Sequence, residues 1–375
     1  MRILYFSRDY TTHDRRFLVK LAESSHEVWF LRLENDGILY EERPLPERIH
    51  QVNWRGGQQP NNTLETWLHL IPDFESVLDR IRPDLVHAGP VQSCGFMTAL
   101  AGFRPFLVMS WGSDILVDGD RDEMWRWITR YTIKHSDMLL CDCQAVRLKV
   151  QQFVPYSYER IVQLPWGIDL HQFSLGVDSL RLRSRMGWEN SFVILSTRSW
   201  EQIYGIDILL DAFRRAYAQN SGLRLMLLGD GSLAPRVQRF IADHGLTDVV
   251  YRPGMVSHEQ LPGYFRAADL YLSCTYSDGT SISLLEAMAT GLPVVVTDGP
   301  ANWEWVLPGV NGWLAPVGDC EAFAQALLQA SGMKQIERAR ISQQNRQVAE
   351  ERANWGVNFA KLLAAYDQIE AEYVH

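Results

Sequence analysis

Short apolar runs alternate with longer stretches of helical period along the first half of the chain. Ile3-Leu4-Tyr5-Phe6 is followed by a helical pattern from about Asp14 to Ser24 and then by a second apolar run, His26 to Leu31. Further runs at Leu85–His87, Phe106–Met109 and Met138–Cys141 each follow a helical stretch. Short strands joined by helices pair in parallel through right-handed crossovers. Leu164-Pro165-Trp166-Gly167-Ile168-Asp169 interrupts the rhythm with proline and glycine and predicts a domain boundary. A fresh cycle starts after it, with buried strands predicted at Phe192–Ser196, Arg224–Leu228, Val249–Tyr251, Leu270–Ser273 and Pro293–Val296. The expected class is therefore α/β, with two doubly wound, Rossmann-like domains, 1–168 and 169–349, facing across a cleft. Ligands of such sheets bind outside the carboxyl ends of the strands. Gln335–Arg352 reads as exposed helix, and Trp355–Tyr373 is amphipathic.

A length of 375 residues agrees with two domains. The 36 basic and 45 acidic residues give a net charge of −9, so no nucleic-acid partner is expected. Cys94, Cys141, Cys143, Cys274 and Cys320 are few and odd in number, which reads as reduced thiols in the cytoplasm. Cys141 and Cys143 have no second pair at ligand spacing, so no metal site is expected. No apolar run approaches the ~18 residues of a membrane span, and any membrane association is expected to be peripheral.

The stretch from Ser277 to Pro293 carries the most chemistry. A strand ends near Ser273, a loop of small residues follows, and a helix is predicted from Ser281 to Thr290, stopped by Gly291. Amides of Thr280, Ser281 and Ile282 then meet the positive end of the helix dipole, where a diphosphate is favoured. Gly279 lets the backbone approach a ligand closely. Glu286, one to two turns into the helix, is placed to accept from ribose hydroxyls, and Asp278 from those of a sugar. Read alone, Glu286 is equally an exposed helix carboxylate, and Asp278 a helix cap.

Asp278-x7-Glu286 followed by Ala-Met-Ala-x-Gly-x-Pro-Val resembles the E-x7-E segment of retaining glycosyltransferases of the GT-B fold, family 4. Trp166–Asp169 with Phe173 is similar to that family's interdomain connection, and Ser196-Thr197-Arg198 before Gly205-Ile206-Asp207 to its phosphate-binding segment. Gly229-Asp230-Gly231 and Pro253-Gly254-Met255-Val256 resemble its nucleotide-side loops, and Pro83–His87 a strand of its N-terminal domain. The resemblance covers most of the chain. It implies that Arg198 and Asp278 are catalytic, Arg198 neutralising the donor diphosphate and Asp278 holding the transferred sugar and β-phosphate with the amides of Gly279 to Ser281. Glu286 binds ribose, the backbone at Met255 and Val256 meets the base, and Gly229 lies beside the nucleotide. It implies a nucleotide-sugar donor, most often UDP-linked, and a hydroxyl acceptor on a glycan, a lipid-linked or a small molecule. Neither metal nor further cofactor is implied, and the helix 350–375 is expected to pack back on the N-terminal domain. The alternative is a nucleotide-sugar-binding protein with little or no transfer.

Departures from the family pattern shape the rest. Ile203 or Tyr204 stands where the family has Lys, so one phosphate cation is missing; Tyr204 offers a hydroxyl, and Arg15 or Arg16 is a candidate substitute. Asp278 is one methylene shorter than the family's first Glu. Arg8–Asp14 replaces a Gly-Gly turn, and Ser110-Trp111-Gly112-Ser113-Asp114 has Trp where a His is usual. His13, His87 and Asp114 are candidate substrate ligands on this side, with a loop histidine, a core histidine and a turn aspartate as the plain alternatives. Within 121–135, Met124, Trp127, Ile128 and Tyr131 share one helical face, with Arg126, Arg130 and Lys134 in a stripe beside it. Such a helix lies on anionic lipid at the inner face of the membrane or packs on its own sheet.

Overall fold

The computed structural model describes residues 1–176 and 179–373. Seven parallel strands form the first sheet: β1 (Arg2–Ser7), β2 (Glu27–Arg32), β3 (Ile49–Val52), β4 (Leu85–Gly89), β5 (Phe106–Met109), β6 (Met138–Cys141) and β7 (Ile161–Gln163). Their spatial order is β3-β2-β1-β4-β5-β6-β7. The second sheet holds β8 (Phe192–Ser196), β9 (Leu223–Leu228), β10 (Val250–Gly254), β11 (Leu270–Ser273), β12 (Val294–Thr297) and β13 (Gly312–Ala315), ordered β10-β9-β8-β11-β12-β13. All pairings are parallel. Central strands such as β4, β5, β6, β11 and β12 are buried along their whole length, because helices cover both faces of a parallel sheet.

In each sheet the chain winds outward to one side and then restarts on the other. The order reverses between β1 and β4 in the first sheet and between β8 and β11 in the second. Loops leaving adjacent strands at such a switch point diverge and leave a crevice. β3, β7 and β13 lie outside the predicted strands, and all three are sheet edges. An edge strand pairs on one side only, so Ile49-His50-Gln51-Val52 buries just its two ends and carries no apolar run.

The chain divides into two compact units: Met1–Leu164 with the chain from Phe359 onward, and Pro165–Asn358. This moves both expected boundaries, 168/169 and 350. The reason is a set of backbone bonds: Ile168 N–H donates to Ala353 O (2.8 Å), and Trp355 N–H to Ile168 O (3.3 Å). Asn358 Nδ2 also donates to Pro165 O at 3.0 Å. Pro165–Asp169 is thereby fastened to residues 353–358 and belongs with the second unit. The C-terminal helix runs Trp355–Tyr373 rather than from 350, and 374–375 lie outside the described residues. Within the first unit, Phe359 packs its ring against Phe17 at 5.9 Å, and the Tyr373 hydroxyl donates to Asp137 at 3.0 Å.

The same helix corrects the expectation for His87. Its ring is fully buried on β4, 2.6 Å from the Tyr366 hydroxyl through Nδ1 and edge-on to Tyr5 at 5.0 Å. These contacts favour the core-histidine alternative, and burial pushes its pKa down to about 3. The ring is therefore neutral in the folded protein, while in the unfolded chain it takes a proton below about pH 6.5. Protons bind the unfolded state more readily, so stability falls as pH drops through this range. Between pH 7 and pH 5 the loss from this residue is about 2 kcal/mol. Denaturant titrations at the two pH values will show a smaller loss in His87→Gln; an equal loss contradicts the assignment.

Candidate functional site

The switch point between β8 and β11 brings together four of the sequence-predicted residues of the second unit, Arg198, Tyr204, Asp278 and Ser281. Arg198 leaves the carboxyl end of β8, and the loop after β11 leads through Asp278 into the helix Ile282–Ala289. The Arg198 side chain is mostly buried, and its Nη2 lies 2.8 Å from Asp278 Oδ2. Its Nη1 donates to Ser281 Oγ at 3.0 Å and reaches Ser283 Oγ at 3.5 Å. The guanidinium also sits 4.1 Å from the centroid of the Tyr204 ring, a cation–π distance. Arg198 is thus held by a carboxylate, two hydroxyls and an aromatic face.

These contacts decide the charge state. Burial opposes the charged guanidinium, but Asp278, with Tyr204 and Tyr271 nearby, keeps the Arg198 pKa above its ordinary value. Burial pushes the Asp278 carboxyl up, and Arg198 and the Gly279 amide only partly offset this. Arg198 is thus the main group that favours the charged form of Asp278 against its burial.

Ser281 is the N-cap of the helix, yet its side chain makes no capping bond. Its hydroxyl is turned to Arg198 instead, so the N-cap side chain itself does not cover the first-turn amides at the positive end of the helix. The helix is one residue shorter at each end than expected from the sequence. Gly279, Thr280 and Ser281 are buried, Ile282 is half-buried, and Glu286 is only 4% exposed, which removes its reading as an exposed carboxylate. Ser283 and Tyr271 were not among the predicted residues. The Tyr271 hydroxyl donates to Ser283 Oγ at 2.8 Å and so orients the partner of Arg198. The one sequence signal for this was the Ser281-x-Ser283 spacing at the helix start.

Gly229, after β9, adopts a φ of +111°, and a Cβ there would stand 3.0 Å from the Arg198 carbonyl. Its N–H donates to Gly254 O at 2.9 Å, which ties the β9 loop to the loop carrying Met255 and Val256. Met255 is exposed and Val256 half-buried against the core.

The remaining predicted residues lie in the first unit. His13 is exposed at the start of the helix Thr12–Ala22, its ring 5.6 Å from that of Trp111. Asp114 lies buried in the first turn of the short helix Ser113–Leu116, where its contacts favour a structural role. Its carboxylate accepts from Ser110 Oγ (2.6 Å) and from the amides of Val91, Trp111 and Ile115 (3.0–3.1 Å), fastening the loops after β4 and β5.

The helix Glu123–His135 divides the face that the sequence grouped together. Ile128 is buried with Thr129, Thr132 and Ile133, whereas Met124 and Trp127 are 55% and 52% exposed. The threonines suit the buried side because their hydroxyls donate to Trp125 O and Ile128 O. Along the outer side, Trp127 stacks on Tyr131 at 5.2 Å and Tyr131 on His135 at 4.0 Å. Arg130 and Lys134 run beside this ladder and form no ion pair among the described residues. No helix among the described residues is long and apolar enough to cross a membrane.

Two family models match the chain: "Glycosyl transferase 4-like domain" over residues 11–167 and "Glycosyl transferases group 1" over 190–332. A D-inositol 3-phosphate glycosyltransferase of Paenarthrobacter aurescens is 34% identical over 312 residues, covering 76% of this chain and 74% of that protein. The amylovoran biosynthesis glycosyltransferase AmsK of Erwinia amylovora is 31% identical over 170 residues, 44% of this chain and 42% of that protein. A colanic acid relative from Escherichia coli, WcaL, is also 31% identical, over 51% of this chain and 50% of its own. The chain spans about half or less of the length of these last two. Among solved structures, Anabaena HepE in complex with UDP superimposes with a TM-score of 0.79 at 19% identity, over 98% of this chain and 100% of that one. WaaG, involved in lipopolysaccharide biosynthesis, gives 0.74 at 16% identity, over 97% and 98%. These likenesses show the two-domain GT-B fold.

Arg198→Met leaves the Asp278 carboxylate buried without a counter-charge, at a cost of about 3 kcal/mol. Adding Asp278→Asn removes the stranded charge and recovers part of that loss. Denaturant titration of the single and double variants tests the coupling, and strictly additive effects contradict it.

Proposed function

Because the chain belongs to the group 1 glycosyltransferases, we propose that it moves a sugar from a UDP-linked donor to an acceptor hydroxyl, with retention at the anomeric carbon. The observation that carries this reading is Arg198, buried at the switch point beside an uncapped helix N-terminus. A departing nucleoside diphosphate gathers negative charge on its β-phosphate, and a fixed cation with oriented amides stabilises that charge without reorganising. Asp278 and the Gly279–Ile282 backbone hold the sugar and the β-phosphate. Glu286 accepts from the ribose hydroxyls, and the backbone at Met255 and Val256 meets the base, with the Gly229 turn alongside. The leaving phosphate oxygen takes the acceptor proton on the same face, so Asp278 and Glu286 do not act as the acid and nucleophile of a hydrolase. Neither metal nor further cofactor takes part. The UDP named in the HepE complexes supports the choice of base.

Incubation with a panel of UDP-sugars and NMR of the product anomer tests this. Slow donor hydrolysis or transfer with retention, undiminished by EDTA and reduced at least 100-fold by Arg198→Ala, is expected. Inversion, or dependence on a divalent metal, contradicts it. Nucleotide-sugar binding with no turnover favours instead the binding-protein alternative, for which the lost cation at Ile203–Tyr204 is the specific motive.

For the acceptor we infer a lipid-linked glycan met at an anionic bilayer. The outward side of Glu123–His135 supports this, since the exposed Met124 and Trp127, with the half-buried Tyr131 stacked on Trp127 and unpaired cations nearby, suit the interfacial region of such a membrane. The curated names of relatives point to polysaccharide and lipid acceptors, in amylovoran biosynthesis and in alpha-monoglucosyldiacylglycerol synthase. Sedimentation with phosphatidylglycerol vesicles at low salt should exceed that with phosphatidylcholine severalfold. It should fall in Trp127→Ala and in Arg130→Ala/Lys134→Ala. Equal recovery with both lipids contradicts the membrane reading.

A further inference from the structure

The cation assigned to the donor phosphate already has a partner. Arg198 is ion-paired with Asp278 at 2.8 Å, and both side chains are largely withdrawn from water. A diphosphate brought to this guanidinium meets the Asp278 carboxylate as a like charge at the same place. Repulsion between anions that share one buried cation is large, because little solvent screens it. In addition, Ile203 and Tyr204 supply no second cation to absorb the extra charge.

We propose that Asp278 is an exchangeable counter-ion of Arg198, displaced by the β-phosphate of the donor and thereby released to the hydroxyls of the transferred sugar. The inference rests on the donor-site reading above and adds to it the order of events. Without donor, Asp278 neutralises the buried guanidinium, which otherwise stands as an uncompensated charge. On donor binding, phosphate takes over that role, and Asp278 regains hydrogen bonds from the sugar. After transfer the sugar leaves first, Asp278 loses those bonds, and it competes again for Arg198 against the nucleoside diphosphate. The exchange therefore favours sugar-bearing donor over spent nucleotide and helps expel the product.

Tyr204 is the positioning residue of this exchange. Its ring stacks on the guanidinium at 4.1 Å without carrying a charge. Ser281 Oγ holds Nη1 from another side, and Nε, buried and without a hydrogen-bond partner among the described residues, is left over. Arg198 thus stays in place while its anion changes. A lysine at 204 would add the cation that binds diphosphate more tightly and would slow its release.

Calorimetric titration with UDP alone separates the possibilities. Asp278→Asn and Asp278→Ser remove the competing charge, the second at smaller volume should the first fold poorly. Each is expected to bind UDP about tenfold more tightly than the unaltered protein, while Arg198→Ala binds at least tenfold more weakly. If Arg198→Ala loses affinity but neither Asp278 variant gains any, the exchange is wrong and the donor site stands. If Arg198→Ala binds UDP as well as the unaltered protein, or the unaltered protein binds none, the donor site is wrong and the exchange falls with it.

Discussion

A guanidinium withdrawn from water must be balanced by a nearby anion, and the arrangement around Arg198 follows from that requirement. Asp278 supplies the charge, Ser281 and Ser283 the hydrogen bonds, and Tyr204 a polarisable face. These groups come from two segments far apart in sequence, 198–204 and 278–283. They meet because β8 and β11 are neighbours at the place where the strand order reverses. Secondary elements bring the residues to one end of the sheet, and electrostatics then fixes their rotamers. A buried ion pair of this kind adds little to net stability compared with apolar packing. Its persistence at the mouth of a helix N-terminus points to use rather than to folding.

The second consequence concerns the helix itself. A serine at the N-cap ordinarily caps, and here it does not. Its hydroxyl is committed to Arg198, so the first-turn amides and the cation face the same small region. Gly229 completes the surroundings from the β9 side, where any side chain would press on the Arg198 carbonyl. Positive charge, oriented amides and close backbone approach are then combined in one place, as binding of a diphosphate requires.

Much of this was legible in the amino-acid sequence. Continuous apolar runs mark strands buried on both faces, so β1, β5, β6, β8 and β11 were read close to their true limits. Of the edge strands, β10 was read but β3, β7 and β13 escaped, because half-exposed segments such as Ile49–Val52 carry no such run. Arg198, Tyr204, Asp278 and Ser281 were identified from motif order and do come together. Ser283 escaped because a serine inside a helical pattern looks like ordinary surface. For His87 and Asp114 the sequence left a substrate ligand and a structural group both open, because residue type announces chemistry but burial decides whether it is used; the structure favours the second. A histidine with Tyr366 as its partner and an aspartate accepting from three amides and a hydroxyl are structural groups. In Glu123–His135, Thr129 and Thr132 can lie on the buried side because their hydroxyls are satisfied by the helix's own carbonyls, which leaves Trp127 on the outside.

The central claim is that the donor phosphate takes Arg198 from Asp278 at the start of the helix Ile282–Ala289. A crystal structure with a non-transferable phosphonate analogue of a UDP-sugar addresses it directly. The account predicts the β-phosphorus group within hydrogen-bond distance of the Arg198 guanidinium and the first-turn amides, with the Asp278 carboxylate turned onto the sugar. A bound nucleotide beside an unbroken Arg198–Asp278 pair would contradict it.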